Sequence, residues 1–118
     1  IYRKGVEPMR HELERLEQAD YKEKLQGKAK PQMIFFTAEW SEPCRQMQGL
    51  VEELADAHYA QADFYQVDLD EQPLIAGDFN IAGVPALVIC QEGKEEERIV
   101  GLRAYPDLEK VVVKYLIN

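Results

Sequence analysis

The stretch Met33-Ile34-Phe35-Phe36 is apolar without a break, with Pro31 before it and a Trp-containing turn after it. A strand with one wet face alternates apolar and polar residues, so an unbroken run reads as a strand covered on both faces. That places it in the middle of a sheet, with other elements packed above and below. The flanking sequence supplies them. Pro43 to Ala60 carries Met47, Leu50, Val51, Leu54 and Ala55 at helical spacing, and Phe64-Tyr65-Gln66-Val67 reads as a second strand. Leu74 to Phe79 is a short helix after Pro73, and Ala86 to Cys90 a third strand closed by a turn at Gly93 and Lys94. Glu97 to Val100 is a fourth strand, and Asp107 to Ile117 a closing amphipathic helix. Strands joined through helices pair parallel, whereas two joined by a short Gly turn form an antiparallel hairpin. The expected architecture is α/β, a central mixed β-sheet with helices on both faces.

Upstream, Glu7 to Lys30 is rich in charge and carries Met9, Leu13 and Leu16 at helical spacing, then Tyr21 and Leu25 on a slightly rotated face. This predicts a long amphipathic helix, irregular near Asp20, with Pro8 in its first turn and Gly27 as its stop. No repeat, low-complexity tract or linker divides the chain. Its 118 residues, 46% of them hydrophobic, suit one domain over 1–118, with 1–30 as an extended charged N-terminal helical segment.

The formal charge is −8, from 22 acidic and 14 basic side chains. Nucleic-acid binding draws on clustered Lys and Arg, so neither a phosphate backbone nor an anionic membrane is an expected partner. The chain lacks a run of the ~20 apolar residues that a membrane helix needs, and Ile1 to Arg10 lacks a signal-peptide core. Two cysteines in dissimilar settings, Cys44 and Cys90, make a disulfide framework unexpected and a reducing cytoplasm the default. The sequence opens on Ile1 rather than Met, which leaves an exported form open.

Chemistry concentrates in the turn Trp40-Ser41-Glu42-Pro43-Cys44, between the first strand and the following helix. A helix N-terminus carries partial positive charge and unpaired N–H groups, which favour a thiolate. Dithiol oxidoreductases place a Cys-x-x-Cys pair here: the first sulfur attacks and the second resolves the mixed disulfide. In this chain Ser41 holds the attacking position and Cys44 the resolving one. A hydroxyl forms no disulfide and does not ionise at neutral pH without a base. His11 and His58 read as solvated helix residues rather than as that base. Ser41 is well suited to cap the helix instead. Cys90, in an apolar strand, reads as a small core residue, and Glu95-Glu96-Glu97 as a solvated hairpin edge. The Cys and His residues lack zinc-ligand spacing, so neither a metal nor a cofactor is expected.

The stretch Phe36-Thr-Ala-Glu-Trp-Ser-Glu-Pro-Cys-Arg45 resembles the active-site region of thioredoxins. Val67-Asp-Leu-Asp70 with Pro73, then Gly83-Val84-Pro85-Ala86-Leu87, Gly93 and Gly101 follow in that family's order. The resemblance covers roughly residues 32 to 118. It implies a thioredoxin fold, a cis Pro85 beside Cys44 and partial shielding of Cys44 by Trp40 and Pro85. It also implies a surface of Trp40, Glu42, Pro43, Val84, Pro85 and Gly101 that receives an extended substrate. The departures matter as much. The family's buried aspartate is matched by Phe35, its lysine partner by Gln66, its helix-kinking proline by Gly49 and the glycine of its turn by Glu42.

The resemblance therefore implies a protein of thiol/disulfide redox homeostasis without its attacking cysteine, limited to mixed-disulfide chemistry through Cys44. Protein thiols, extended peptide segments and a thioredoxin-reductase-like or glutathione system are the expected partners. The alternatives are a non-catalytic, chaperone-like peptide-binding module, or an engineered Cys→Ser form of a dithiol reductase. A single engineered serine would account for Ser41 but not for Phe35 and Gln66.

Overall fold

A computed structural model describes residues 13–116. They form β1 (Glu14–Arg15), α1 (Tyr21–Leu25), β2 (Gln32–Thr37), α2 (Glu42–His58) and β3 (Asp63–Asp68), followed by α3 (Pro73–Asp78), β4 (Ala86–Gln91), β5 (Lys94–Val100) and α4 (Tyr105–Val113). The sheet order is β1-β3-β2-β4-β5. The β1/β3 and β2/β3 pairs are parallel, and the β2/β4 and β4/β5 pairs antiparallel.

All six residues of β2 are buried, as a strand covered on both sides requires. Its alternate side chains separate into two cores. Met33 and Phe35 meet Met47, Val51 and Leu54 of α2 and Leu108 and Val112 of α4. Ile34 and Phe36 meet Tyr21 and Leu25 of α1 and Ile75 and Ala76 of α3. The mixed sheet with helices on both faces follows directly from this alternation.

The long N-terminal helix is overturned within the described residues; its expected start, with Pro8, Met9 and His11, lies outside them. Leu13 and Leu16, three apart, would share a helix face. In the structure Leu13 enters one core and Leu16 the other, because the chain between them is extended and pairs with Tyr65 and Gln66. Only Tyr21–Leu25 is helical, and Gly27, at φ +65°, turns the chain after it. The sheet thus has five strands rather than the four expected.

One further expectation is corrected. His58 is not solvated: its Nε2 lies 3.0 Å from Glu109 Oε2, joining the end of α2 to α4. The acidic run lies on the exposed hairpin edge expected of it, and two of its members are also paired there. Glu95 pairs with Arg98; Glu97 accepts from Tyr115 Oη at 2.7 Å and pairs with Lys114, and the tyrosine first, then the lysine, hold its carboxyl below the usual range. Arg98 also donates to the carbonyls of Phe79 (2.7 Å) and Asn80 (3.4 Å), fastening the end of α3 to β5. Among the described residues no helix is long and apolar enough to cross a membrane.

Gly49 sits inside α2, where a Cβ would meet open space. Glycine in a helix interior costs about 0.5–1 kcal/mol relative to alanine. Gly49→Ala is therefore expected to raise the denaturant midpoint by a stabilisation of about that size at unchanged slope.

Candidate functional site

The C-terminal end of β2 delivers the chain into the turn that starts α2. Ser41 N donates to Ala38 O at 3.2 Å, closing the turn. Ser41 is the N-cap of α2, and its Oγ accepts from Cys44 N at 3.3 Å. Pro43 occupies the first turn, where its missing N–H costs nothing. Cys44 lies at the third helical position and is 1% exposed, more completely buried than partial shielding implies.

Register brings the second half of the site alongside. Phe36 pairs with Ala86, and Ala86 with Val100, so Pro85 lies between the ends of β2 and β5. The Val84–Pro85 peptide is cis, and Gly101 N donates to Pro85 O at 2.8 Å. Gly101 has φ +95°, and a Cβ there would stand 3.2 Å from Nη1 of Arg103, whose guanidinium folds back over it. Only glycine fits that backbone comfortably. Trp40 is 68% exposed, and its Nε1 donates to Asp70 Oδ2 at 3.1 Å. Leu74, on the first turn of α3, and Leu102, next to Gly101, are exposed apolar residues on the same loops. Glu42 does put charge at the site, but Arg45 engages it, followed by Gln46, and together they hold its carboxyl below the usual range. Arg45 also donates to Glu39 O at 2.6 Å.

Behind Cys44 lies a cavity of about 420 Å³, walled by Leu13 and Arg15, by Thr37, Ala38 and Glu39, by Cys44, Arg45, Gln48 and Glu52, and by Gln66 and Asp68. Phe35 is fully buried in the apolar core. Gln66, its neighbour across the strands, accepts from Gln48 Nε2 at 2.8 Å. A neutral amide pair thus lines the same cavity as Cys44. Sequence reasoning gave no role to Gln48, Glu52, Asp70 or Arg103. The four-residue spacing of 44, 48 and 52 was the one signal available.

Cys90 belongs to the opposite core and pairs with Gln32, at the other end of β2 from the turn, roughly 17 Å away along the strand. Both cysteines are free. Burial, with Glu95 nearby, pushes the Cys90 thiol up to about 12. Among the described residues, His, Cys, Asp and Glu form no group of three able to hold a metal ion.

A capped helix carrying a cysteine in its first turn, set beside a cis-proline loop, defines a scaffold of the thiol–disulfide exchange class. The thioredoxin family profile matches residues 12–114, and the chain belongs to the thioredoxin family. It is 38% identical over 82 residues to thioredoxin H2 of Arabidopsis thaliana, covering 70% of this chain and 60% of that protein. It is 30% identical over 98 residues to a Staphylococcus aureus thioredoxin, covering 83% and 92% respectively. In structure it is similar to the Nicotiana alata thioredoxin NaTrxh, with a TM-score of 0.84 over 96% of this chain and all of the other at 23% identity.

Ser41→Ala is expected to cost about 1 kcal/mol through loss of the cap, read as a lower denaturant midpoint. In native protein at pH 8, iodoacetamide should leave Cys90 unlabelled, since its thiol is fully buried and burial disfavours the thiolate. Unfolding should expose it to labelling, followed by peptide mass spectrometry.

Proposed function

We propose that this thioredoxin-family redox protein works through one sulfur, forming mixed disulfides at Cys44 with extended protein segments held on the groove of Trp40, Glu42, Pro43, Val84, Pro85 and Gly101. The observation that carries this reading is the Ser41 cap. The hydroxyl in the attacking position is committed to the Cys44 N–H, and Cys90 is embedded in the opposite core. A dithiol cycle therefore cannot close within the chain, and any mixed disulfide has to be released by an external thiol. A glutathione or thioredoxin-reductase-like system in the cytoplasm would serve. Extended peptides suit such grooves because their backbone pairs as an added strand while pockets read alternate side chains.

The 1% exposure of Cys44 favours a second reading, in which the same groove binds peptide without chemistry. Insulin-type disulfide reduction separates both from a working dithiol reductase. The native chain should reduce insulin at background rate. Ser41→Cys should recover only feeble turnover, because Phe35 and Gln66 stand where the family resemblance places the buried aspartate and its lysine partner. Trapping of Cys44 by a peptide disulfide then decides between exchange and binding alone. Full turnover by the native chain would overturn both readings.

A further inference from the structure

Cys44, Gln48 and Glu52 are spaced by four along α2, and all three line the cavity behind the sulfur. Residues so spaced share a helix face, and helical side chains lean toward the N-terminus, which brings Glu52 toward the Cys44 end. Gln48 fixes it there. Its Nε2 donates to Glu52 Oε2 at 3.0 Å and to Gln66 Oε1 at 2.8 Å, bracing the helix against β3. The other charged groups facing this space are Arg15, Glu39, Arg45 and Asp68. Both guanidiniums are drawn to carboxylates outside the wall, Arg15 to Glu71 and Arg45 to Glu42. Asp68 Oδ1 accepts from the backbone N–H groups of Asp70 (2.8 Å) and Glu71 (3.3 Å). Glu52, like Asp68, is held by a neutral donor that leaves its charge to act on the cavity, and of the two it is the one on the same helix face as Cys44.

We infer that Glu52, positioned by Gln48, is a specificity-determining residue for exchange at Cys44, selecting partners whose disulfide carries no negative charge beside it. The inference rests on the reading of Cys44 as competent for exchange. In that step the Cys44 thiolate attacks one sulfur of R–S–S–R. The new Cys44–S–S–R bond forms as the partner's S–S bond breaks, and the released R–S⁻ takes up the proton that Cys44 gave to solvent. An anionic R group meets Coulombic repulsion from Glu52, and a cationic one attraction.

The test compares three small disulfides at low salt: cystamine (cationic), hydroxyethyl disulfide (neutral) and dithiodiglycolate (anionic). Adduct formation at Cys44 is followed by mass spectrometry in the native chain, Glu52→Gln and Glu53→Gln. Glutamine keeps an acceptor for Gln48, so the brace survives. The native protein should prefer cystamine. Glu52→Gln should narrow the cystamine-to-dithiodiglycolate rate ratio by about threefold or more. Added salt should narrow the ratio in the native chain as well. Glu53→Gln, an exposed neighbour on the same helix, should keep the native ratio. A native ratio in Glu52→Gln, or equal narrowing in Glu53→Gln, overturns the inference. If no small disulfide reacts while a docked peptide disulfide still couples to Cys44, this inference fails and the proposed function stands. If neither reacts, both fail.

Discussion

The structure hangs on the burial of β2. Each of its six residues is shielded from water, and a strand can reach that state only with sheet on both edges and helices on both faces. Once β2 occupies the centre, the rest has little freedom. Met33 and Phe35 demand the cover that α2 and α4 give, while Ile34 and Phe36 demand that of α1 and α3. The turn leaving the strand must then emerge at the rim of the sheet. The capped start of α2, the Val84–Pro85 loop and Gly101 meet there because the register of β2, β4 and β5 leaves them no other place.

That centre also explains what has changed chemically. Phe35 lies within the apolar core, and a carboxylate in its place would need a partner that Gln66 does not provide. Aromatic packing and an amide–amide bond stand where a proton-handling charge pair would work. Cys44 lies beside a polar cavity whose wall includes Glu39, Glu52 and Asp68, and Trp40 stands exposed in the turn above it.

Much of this was legible in the sequence where a pattern reports on one element at a time. The apolar run of β2, the α2 stripe through Leu54 and the Gly turn before β5 are local signals, and each gave the right element to within a few residues. Tyr21 to Leu25 is helical as expected, whereas the stretch from Leu13 to Leu16 failed because a spacing of three is ambiguous. It fits one face of a helix, or two faces of a strand, and only the pairing with β3 decides. Lys94 to Glu96 failed for a related reason: a hairpin ladder is held by backbone bonds and needs no apolar side chains to extend. The cavity behind Cys44 was invisible because its wall is assembled from β1, β2, α2 and β3. Spacing along one helix could suggest that Gln48 and Glu52 share a side. It could not show that Gln66 would come across to meet them.

Arg98 draws a last consequence from the edge strand. By holding the carbonyls of Phe79 and Asn80, it anchors the segment that runs from α3 toward Val84, while Gly101, three residues further along the same strand direction, holds Pro85. The loop that carries the cis proline is thus slung between two fastenings on a single ribbon at the sheet's margin. An edge strand, outwardly the most dispensable part of a sheet, works here as the frame on which the loop beside the thiol's turn is stretched.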